Sequence, residues 1–150
     1  WGAALTRIST WVKLYDKTAK DTILFFNTHF DHISDSARYM SSGVLLGQVR
    51  KLSGDNDFVI TGDFNDKPTS IAIQRMKEGD FAIDSYSVSH TKPEGLKYTF
   101  NGWKDKPGQG RIDYIFIRNG MQVKSHYTWK IIERGVFISD HWPVTAKIKY

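Results

Sequence analysis

The residues best suited to chemistry are acidic, amide and imidazole side chains that interrupt apolar segments at four places. They are His29, Asp63 with Asn65, Asp113, and the adjacent pair Asp140 and His141. Asp and Asn oxygens favour hard cations such as Mg²⁺ or Mn²⁺ over zinc, which prefers more His and Cys. An imidazole can take a proton from water near neutral pH. A hard cation combined with a His-activated water suits hydrolysis at phosphorus.

The clearest of these places is the segment 58–68, an apolar run that stops at Gly62 and continues to Asp63 and Asn65. A short β-branched run bounded by Gly and Pro predicts a buried strand. In an extended segment Asp63 and Asn65 would share a face, while Phe64 packs on the other. The alternative is a capped turn that leads into the next helix, where Asp and Asn are also common.

Asp113 lies in an alternating segment, 111–117, on the same face as Ile115 and Ile117. A carboxylate buried there without a partner would cost several kcal/mol. We therefore predict that Asp113 accepts a hydrogen bond from one imidazole nitrogen of His141, which leaves the other nitrogen free for a proton from water. Asp140 would then be available to a metal ion.

Simpler interpretations exist for each of these residues. Asp113 could pair with Arg111 or with a lysine, and Asp140 could cap a turn. His141 could be an ordinary surface or core histidine. The combination is more specific than any one assignment, because all these side chains fall at predicted strand ends or on an apolar face.

The elements that must position these residues are mostly strands, which predicts a single α+β domain. Apolar periodicity predicts a helix over 34–52, with Ser34 as its cap. The segment Pro68-Thr69-Ser70 indicates the start of a shorter helix that runs to about Lys77. Residues 85–95 are predicted to form a loop. Strands are predicted over 5–14, 22–29, the segment that ends near Asp63, 98–101, 111–117, 123–132 and 144–150.

The composition is that of one globular domain: 150 residues, 40% hydrophobic and 25% charged. A formal charge of +5 favours an acidic partner such as nucleic acid or another phosphorylated substrate, although the spread of the lysines also fits plain solubility. The absence of cysteine excludes disulfides and thiolate metal sites. No apolar run is long enough for a stable membrane span. No signal peptide is visible, but the chain opens on Trp1 rather than Met, so we expect upstream residues. The localisation stays open, with a lean to a secreted or periplasmic protein.

Four motifs occur in the order 27–30 (Asn-Thr-His-Phe), 62–65 (Gly-Asp-Phe-Asn), 111–114 (Arg-Ile-Asp-Tyr) and 139–141 (Ser-Asp-His). In this order the chain resembles the endonuclease/exonuclease/phosphatase superfamily, which includes pancreatic-type deoxyribonuclease. The resemblance implies a four-layered α/β sandwich of the deoxyribonuclease-like type, with two packed mixed or antiparallel sheets and outer helices. It also implies Mg²⁺-dependent phosphoester hydrolysis, with Mn²⁺ as a possible substitute.

The resemblance also implies roles for the residues of the motifs. His141 would be the general base and Asp113 its orienting partner. Asp63 and Asn65 would bind or polarise water and phosphate, His29 would stabilise charge on the phosphoryl oxygens, and Asp140 would lie at the metal side. Three further residues would line the substrate side: Arg38, for which a solvated helix face is the alternative, Asn101 and Trp103.

The chain departs from the family pattern in one respect. Members carry an earlier strand motif with Asn and a later Glu, the principal metal ligand, and neither is recognisable upstream of Trp11. We therefore expect residues 1–150 to be the C-terminal portion of one domain, which exposes apolar surface and is inactive without its upstream part.

Two functions follow from the sequence. The first is a Mg²⁺-dependent phosphodiesterase or phosphomonoesterase. The alternative is a non-catalytic nucleic-acid or phosphoinositide binding module derived from the same fold. The substrate is left open among nucleic acid, a phospholipid head group and a sugar phosphate.

Overall fold

The fold is described from a computed structural model, in which residues 1–108 and 110–150 are described. The described chain forms two α-helices, α1 Asp35–Ser53 and α2 Ile71–Met76, and a short 3-10 helix Glu78–Asp80. Its strands are β1 Ser9–Asp16, β2 Asp21–His29, β3 Asp57–Asp63, β4 Ala82–Asp84, β5 Glu94–Gly95, β6 Asp113–Arg118, β7 Gln122–Thr128, β8 Ile132–Glu133, β9 Val136–Phe137 and β10 Val144–Lys149.

A five-stranded mixed sheet forms the centre of the fold, in the order β1-β2-β3-β6-β4. β2 and β3 pair in parallel, whereas β6 runs antiparallel to β3. The carboxyl ends of β2 and β3 therefore meet the amino end of β6 at one edge. The register places His29 opposite Asp63, and Asp63 opposite Asp113.

The two faces of this sheet carry separate hydrophobic cores. Tyr114 and Phe116 point to one face and pack in the core that includes residues of α1 and α2. Ile115 and Ile117 point to the other face and pack against the second sheet, whose order is β10-β7-β5. This period-two alternation is what a strand between two apolar layers requires.

The predicted fold class is confirmed: the protein is an α+β sandwich of two mixed sheets with helices outside. Within residues 1–108 and 110–150, both α-helices contribute to the core on the five-stranded sheet. The described chain therefore shows three layers, namely helices, a five-stranded sheet and a three-stranded sheet. None of its helices is both long enough and apolar enough to cross a membrane.

The helix predicted over 34–52 is confirmed as α1. Ser34 is its N-cap, and the Ser34 side chain accepts a hydrogen bond from the Ala37 amide. Asp35 lies in the first turn, and Arg50 and Lys51 lie in the last turn, where the helix dipole favours these charges. The second predicted helix begins at Ile71 rather than at Pro68, because the Ser70 side chain caps it by accepting a hydrogen bond from the Ile73 amide.

Three strand predictions need correction. β1 begins at Ser9 rather than at Leu5, because the Ala4 and Leu5 amides donate to the Asp31 carboxylate instead of to a neighbouring strand. The strand predicted over 98–101 is reduced to one bridge between Phe100 and His141. The strand predicted over 123–132 ends at Thr128, and residues 132–133 belong to the separate pair β8–β9.

An apolar stripe is exposed at the β1–β2 end of the five-stranded sheet. Val12 pairs with Phe25 across the hairpin, and Leu14 pairs with Ile23, so all four share the face on which the second sheet packs. Val12, Leu14 and Phe25 are nevertheless 46%, 45% and 38% exposed. The second sheet covers the part of this face that β3 and β6 form. The part formed by β1 and β2 is left exposed, which agrees with the apolar exposure expected from the sequence.

Candidate active site

The candidate site is a cleft of about 430 Å³ at the edge where β2, β3 and β6 meet. Its walls include His29, Asp63, Asp113 and His141, which come from four separate parts of the sequence. The first three are placed by strand register, and His141 comes from the segment that precedes β10. The structure thus brings together four of the five residues to which catalytic roles were assigned.

The hydrogen bond predicted between Asp113 and His141 is present. The Nδ1–H of His141 donates to Asp113 Oδ2 over 2.8 Å. This bond is the main reason that the pKa of His141 lies above its usual value, because it stabilises the protonated ring. The His141 amide donates to Ser139 Oγ over 3.0 Å, and the Asp113 amide donates to Thr99 Oγ1 over 3.1 Å, so both backbones are also fixed.

Asp63 lies between two imidazole rings. Its Oδ2 is 3.3 Å from His29 Nε2 and 3.7 Å from His141 Nε2. Burial raises the pKa of Asp63, and the nearby charge of Asp113 raises it further, while a hydrogen bond from the Asn65 amide and the two histidines lower it. The carboxylate is therefore held in a place where additional positive charge would be favourable.

The donor set is suited to a divalent cation. Asp63, Asp113 and His141 each offer one ligand atom, and these atoms lie within 4.8 Å of one another. Two carboxylates favour a hard cation over zinc. Because Asp113 and His141 already bond to each other at 2.8 Å, that pair is better suited to handling a proton, which leaves Asp63 as the oxygen donor.

Asn65 does not lie beside Asp63 as predicted. β3 ends at Asp63, and Asn65 adopts a left-handed conformation with φ of 51°, so the alternation of an extended strand no longer applies. The Asn65 side chain donates to the Phe30 carbonyl over 3.0 Å, and its amide donates to Asp63 Oδ1 over 2.7 Å. Asn65 therefore holds the corner, and it lines a neighbouring cavity instead of the cleft.

Gly62 explains why the corner has this sequence. Its φ is 153°, and a Cβ built on it would lie 2.0 Å from the Thr28 carbonyl oxygen. Only glycine permits β2 and β3 to approach so closely at this point. The parallel pairing that aligns His29 with Asp63 therefore depends on Gly62.

Asp140 lies next to the cleft, but outside the described cluster of three potential ligands. Its negative charge contributes to the raised pKa of His141, and its carbonyl accepts hydrogen bonds from the Asn101 and Gly102 amides. The assignment of Asp140 to the metal side stays a prediction.

The three residues assigned to the substrate side have different environments. Arg38 is buried at 6% exposure and bonds to Asp66, to Asp35 and to the Asp31 carbonyl, so the alternative of a solvated helix face is wrong. Asn101 is also buried, and its side chain bonds to Ser139 and Trp103, which fixes the corner that carries His141. Trp103 is 60% exposed.

The sequence did not reveal how the site is supported. Thr99 accepts hydrogen bonds from two successive amides, Ile112 and Asp113, yet a lone threonine gives no signal of such a role. Arg111 does not pair with Asp113, because it bonds to Asp84 over 2.7 Å and stacks on Tyr86. Asp84 lies on the short strand β4, which the sequence did not predict.

Two packed mixed sheets, outer helices and a carboxylate–imidazole cleft at a sheet edge define the deoxyribonuclease-like class of α+β proteins. Residues 5–141 match the sequence model of the Endonuclease/Exonuclease/phosphatase family, and the chain belongs to that family. A search of curated proteins gave no match.

Solved structures agree with this assignment. The mannosyl-6-phosphatase of Bacteroides thetaiotaomicron VPI-5482 is 28% identical with a TM-score of 0.90, over 100% of this chain and 60% of that one. An endonuclease/exonuclease/phosphatase from Bacteroides vulgatus is 31% identical with a TM-score of 0.91, over 99% of this chain and 57% of that one. The human Nocturnin catalytic domain, at 17% identity and a TM-score of 0.76 over 95% of this chain and 53% of that one, shares the fold. The chain therefore spans just over half the length of these relatives.

Proposed function

We propose that the protein hydrolyses phosphoesters with a divalent cation, Mg²⁺ or Mn²⁺, and a water activated by His141. The observation that carries this proposal is the 2.8 Å hydrogen bond from His141 Nδ1 to Asp113 Oδ2, with Nε2 on the side of Asp63. Family membership supports it, and one relative of similar structure is a mannosyl-6-phosphatase.

The proton chemistry follows from this geometry. Because Asp113 fixes the proton on Nδ1, Nε2 of His141 is the nitrogen that can accept a proton from water. The imidazolium that forms is stabilised by Asp113 and by Asp63, whose carboxylate is 3.7 Å away. The charges of Asp113 and Asp63, which stabilise this imidazolium, also raise the pKa of His141.

The other residues of the cleft have complementary roles in the proposal. His29 is 57% exposed in its side chain, which leaves it accessible to an oxygen of the phosphoryl group. Asp63 would orient the attacking water, since a hydrogen bond from the Asn65 amide fixes its carboxylate. Asp63 and Asp140 are the oxygen donors that we propose for the cation. When bound, the cation would neutralise charge on the phosphoryl oxygens.

We also propose that residues 1–150 alone turn over substrate poorly. The described cluster offers two carboxylates and one imidazole, and one of the carboxylates is engaged by His141. The apolar stripe of Val12, Leu14 and Phe25 is exposed at the β1–β2 end of the five-stranded sheet. Further metal ligands and the cover of the stripe would come from sequence beyond this segment.

The test is Mg²⁺-dependent turnover of p-nitrophenyl phosphate and bis(p-nitrophenyl) phosphate by the natural full-length protein. His141→Ala and Asp63→Ala are compared with His90→Ala, a matched change of an exposed histidine away from the cleft. We expect the first two variants to lose roughly 100-fold or more in kcat, the usual scale of general base catalysis, and the control to lose little. Full activity in both cleft variants would exclude the proposed mechanism.

A further inference from the structure

A second cavity of about 570 Å³ lies beside the cleft. Phe100 belongs to its wall, and the Phe100 ring is 5.1 Å from the His141 ring, so this residue separates the two spaces. Asn65, two residues after Asp63, and Ile112, directly before Asp113, line the same cavity. A substrate held at His141 therefore has this cavity as a neighbour.

The wall of the second cavity is positively charged. Lys67, Lys104 and Lys106 line it, and each is exposed. Among the residues that the structure describes, no carboxylate pairs with these three lysines: Asp66, which also lines the cavity, pairs with Arg38, and Asp105 pairs with Lys130. Three positive charges are thus uncompensated at the rim of one concave space, which would attract an anion.

The buried cation of the same cavity does not add to this charge. Arg38 also lines it, but Asp66 accepts from Arg38 Nε over 3.0 Å and Asp35 accepts from another guanidinium nitrogen. The Arg38 charge is therefore neutralised by these two carboxylates. The attraction for an anion comes from the lysine rim.

The cavity also has an apolar surface and room for a ring. Phe100 is 44% exposed, and Ile112 and Pro107 extend the apolar part of the wall. Its volume falls in the range of ordinary small-molecule sites and far exceeds what a single phosphate fills. The wall combines a flat aromatic side chain, amide groups and cations, a mixture suited to a phosphorylated or carboxylated sugar ring.

We propose that the cavity of Phe100, Lys67, Lys104 and Lys106 binds the leaving group of the substrate, a sugar-sized ring that carries a second anionic group. This inference rests on the proposed function, because it places the reacting phosphate at His141. Phe100 contacts the ring, and the lysines contact the second anion, which is a phosphate or a carboxylate. These four residues thereby determine specificity.

A nucleic-acid strand is the competing ligand. A strand would extend its phosphates beyond a space of about 570 Å³, whereas a ring with one further anion fits within that volume. The walls come from α1, from the corner after β3 and from the loop before β6, so they surround the space on several sides.

The experiment measures equilibrium affinity by calorimetry in the full-length protein with His141→Asn, so that nothing is turned over. The ligands are glucose 1-phosphate, glucose 1,6-bisphosphate, glucuronic acid 1-phosphate and a single-stranded oligothymidylate of eight nucleotides. They are compared in the parent, in Lys104→Gln/Lys106→Gln and in Lys51→Gln/Lys149→Gln. The last variant has the same net charge as the second, with both changes on exposed lysines outside the cavity.

We expect the parent to bind at least one of the doubly anionic sugars roughly tenfold more tightly than glucose 1-phosphate, the effect of two modest charge contacts. The Lys104/Lys106 variant should lose most of this preference, and the Lys51/Lys149 variant should keep it. A preference for the bisphosphate identifies the second anion as a phosphate, and a preference for glucuronic acid 1-phosphate identifies it as a carboxylate.

Three results would overturn the inference: no preference for a second anion in the parent, equal loss in both double variants, or a tighter, lysine-dependent affinity for the oligonucleotide. Phe100→Leu adds a second probe, because it should weaken all three sugar ligands if the ring contacts the sugar. Failure of the proposed function is detected separately, as absence of p-nitrophenyl phosphate turnover by the wild-type protein.

Discussion

The buried histidine His126 should make the protein lose stability in mild acid. His126 lies on β7 at 1% exposure, with Nδ1 3.0 Å from Ser85 Oγ and its ring 5.2 Å from that of Tyr86. Its Nε2 is buried and has no hydrogen-bond partner in the described part of the chain. Burial lowers the pKa of His126 to about 4; the charge of Asp84 opposes this shift, and the charge of Arg111 adds to it.

The size of the effect follows from linkage between protonation and folding. The unfolded chain binds a proton near pH 6.5 and the folded protein only near pH 4, so the unfolded state gains protons first as the pH falls. The stability contributed by neutral His126 is fully present above pH 6.5 and declines below it. The free energy of unfolding should fall by about 2 kcal/mol by pH 5 and by about 3 kcal/mol by pH 4 from this residue alone.

The assay is urea unfolding at pH 7, 5 and 4, followed by tryptophan fluorescence, for the wild type and for His126→Asn. Asparagine cannot titrate, yet it keeps a polar atom for Ser85 near the position of Nδ1. Other titrating groups are common to both proteins, so the difference between the two free energies isolates His126. That difference should shift by about 3 kcal/mol in favour of the variant between pH 7 and pH 4. Parallel pH profiles would refute the reasoning.

Two further changes probe the cleft and its corner. Asp113→Asn should lower the pKa of His141, because the hydrogen bond that His141 donates to Asp113 is the main cause of the raised pKa. Titration of the ring by NMR checks this, and an unchanged pKa would contradict the assigned contact. Gly62→Ala should cost several kcal/mol of unfolding free energy, since its Cβ would lie 2.0 Å from the Thr28 carbonyl oxygen. Gly79→Ala is the matched control, because Gly79 also has positive φ but would meet nothing within 4 Å, so only about 1 kcal/mol should be lost. Equal losses of urea stability in the two alanine variants would mean that the close approach at Gly62 is not the cause.

The sequence predicted those site residues whose direction follows from strand periodicity alone. Asp113 had to share a face with Ile115 and Ile117, and a partly buried carboxylate required a partner, which proved to be His141. The same reasoning failed at Asn65, because it assumed that the strand continued two residues beyond its end. A positive φ at a non-glycine residue is set by the surrounding contacts and leaves little trace in the sequence.

The hydrogen bonds and ion pairs that support the site could not be predicted from the sequence either, because they join segments that share no sequence pattern. Arg111 looked like a partner for Asp113, but in an extended segment residues two apart share a face only while the strand is regular, and β6 begins at Asp113. The guanidinium instead reaches Asp84 on β4. Arg38 was mistaken for a possible surface residue because its acceptors, on Asp31, Asp35 and Asp66, come together only in the folded chain.

The pairing of β2 with β3 and of β3 with β6 has a consequence for how the protein acquires activity. His29, Asp63 and Asp113 become neighbours only when three strands that are far apart in the sequence have found their register. Such long-range pairing is slow compared with local helix formation, because loop closure precedes any compensating contact. A chain that has formed α1 and the β1–β2 hairpin still has no cleft. Recovery of catalysis during refolding should therefore be among the last signals to appear, which would make activity a direct report on completed sheet assembly.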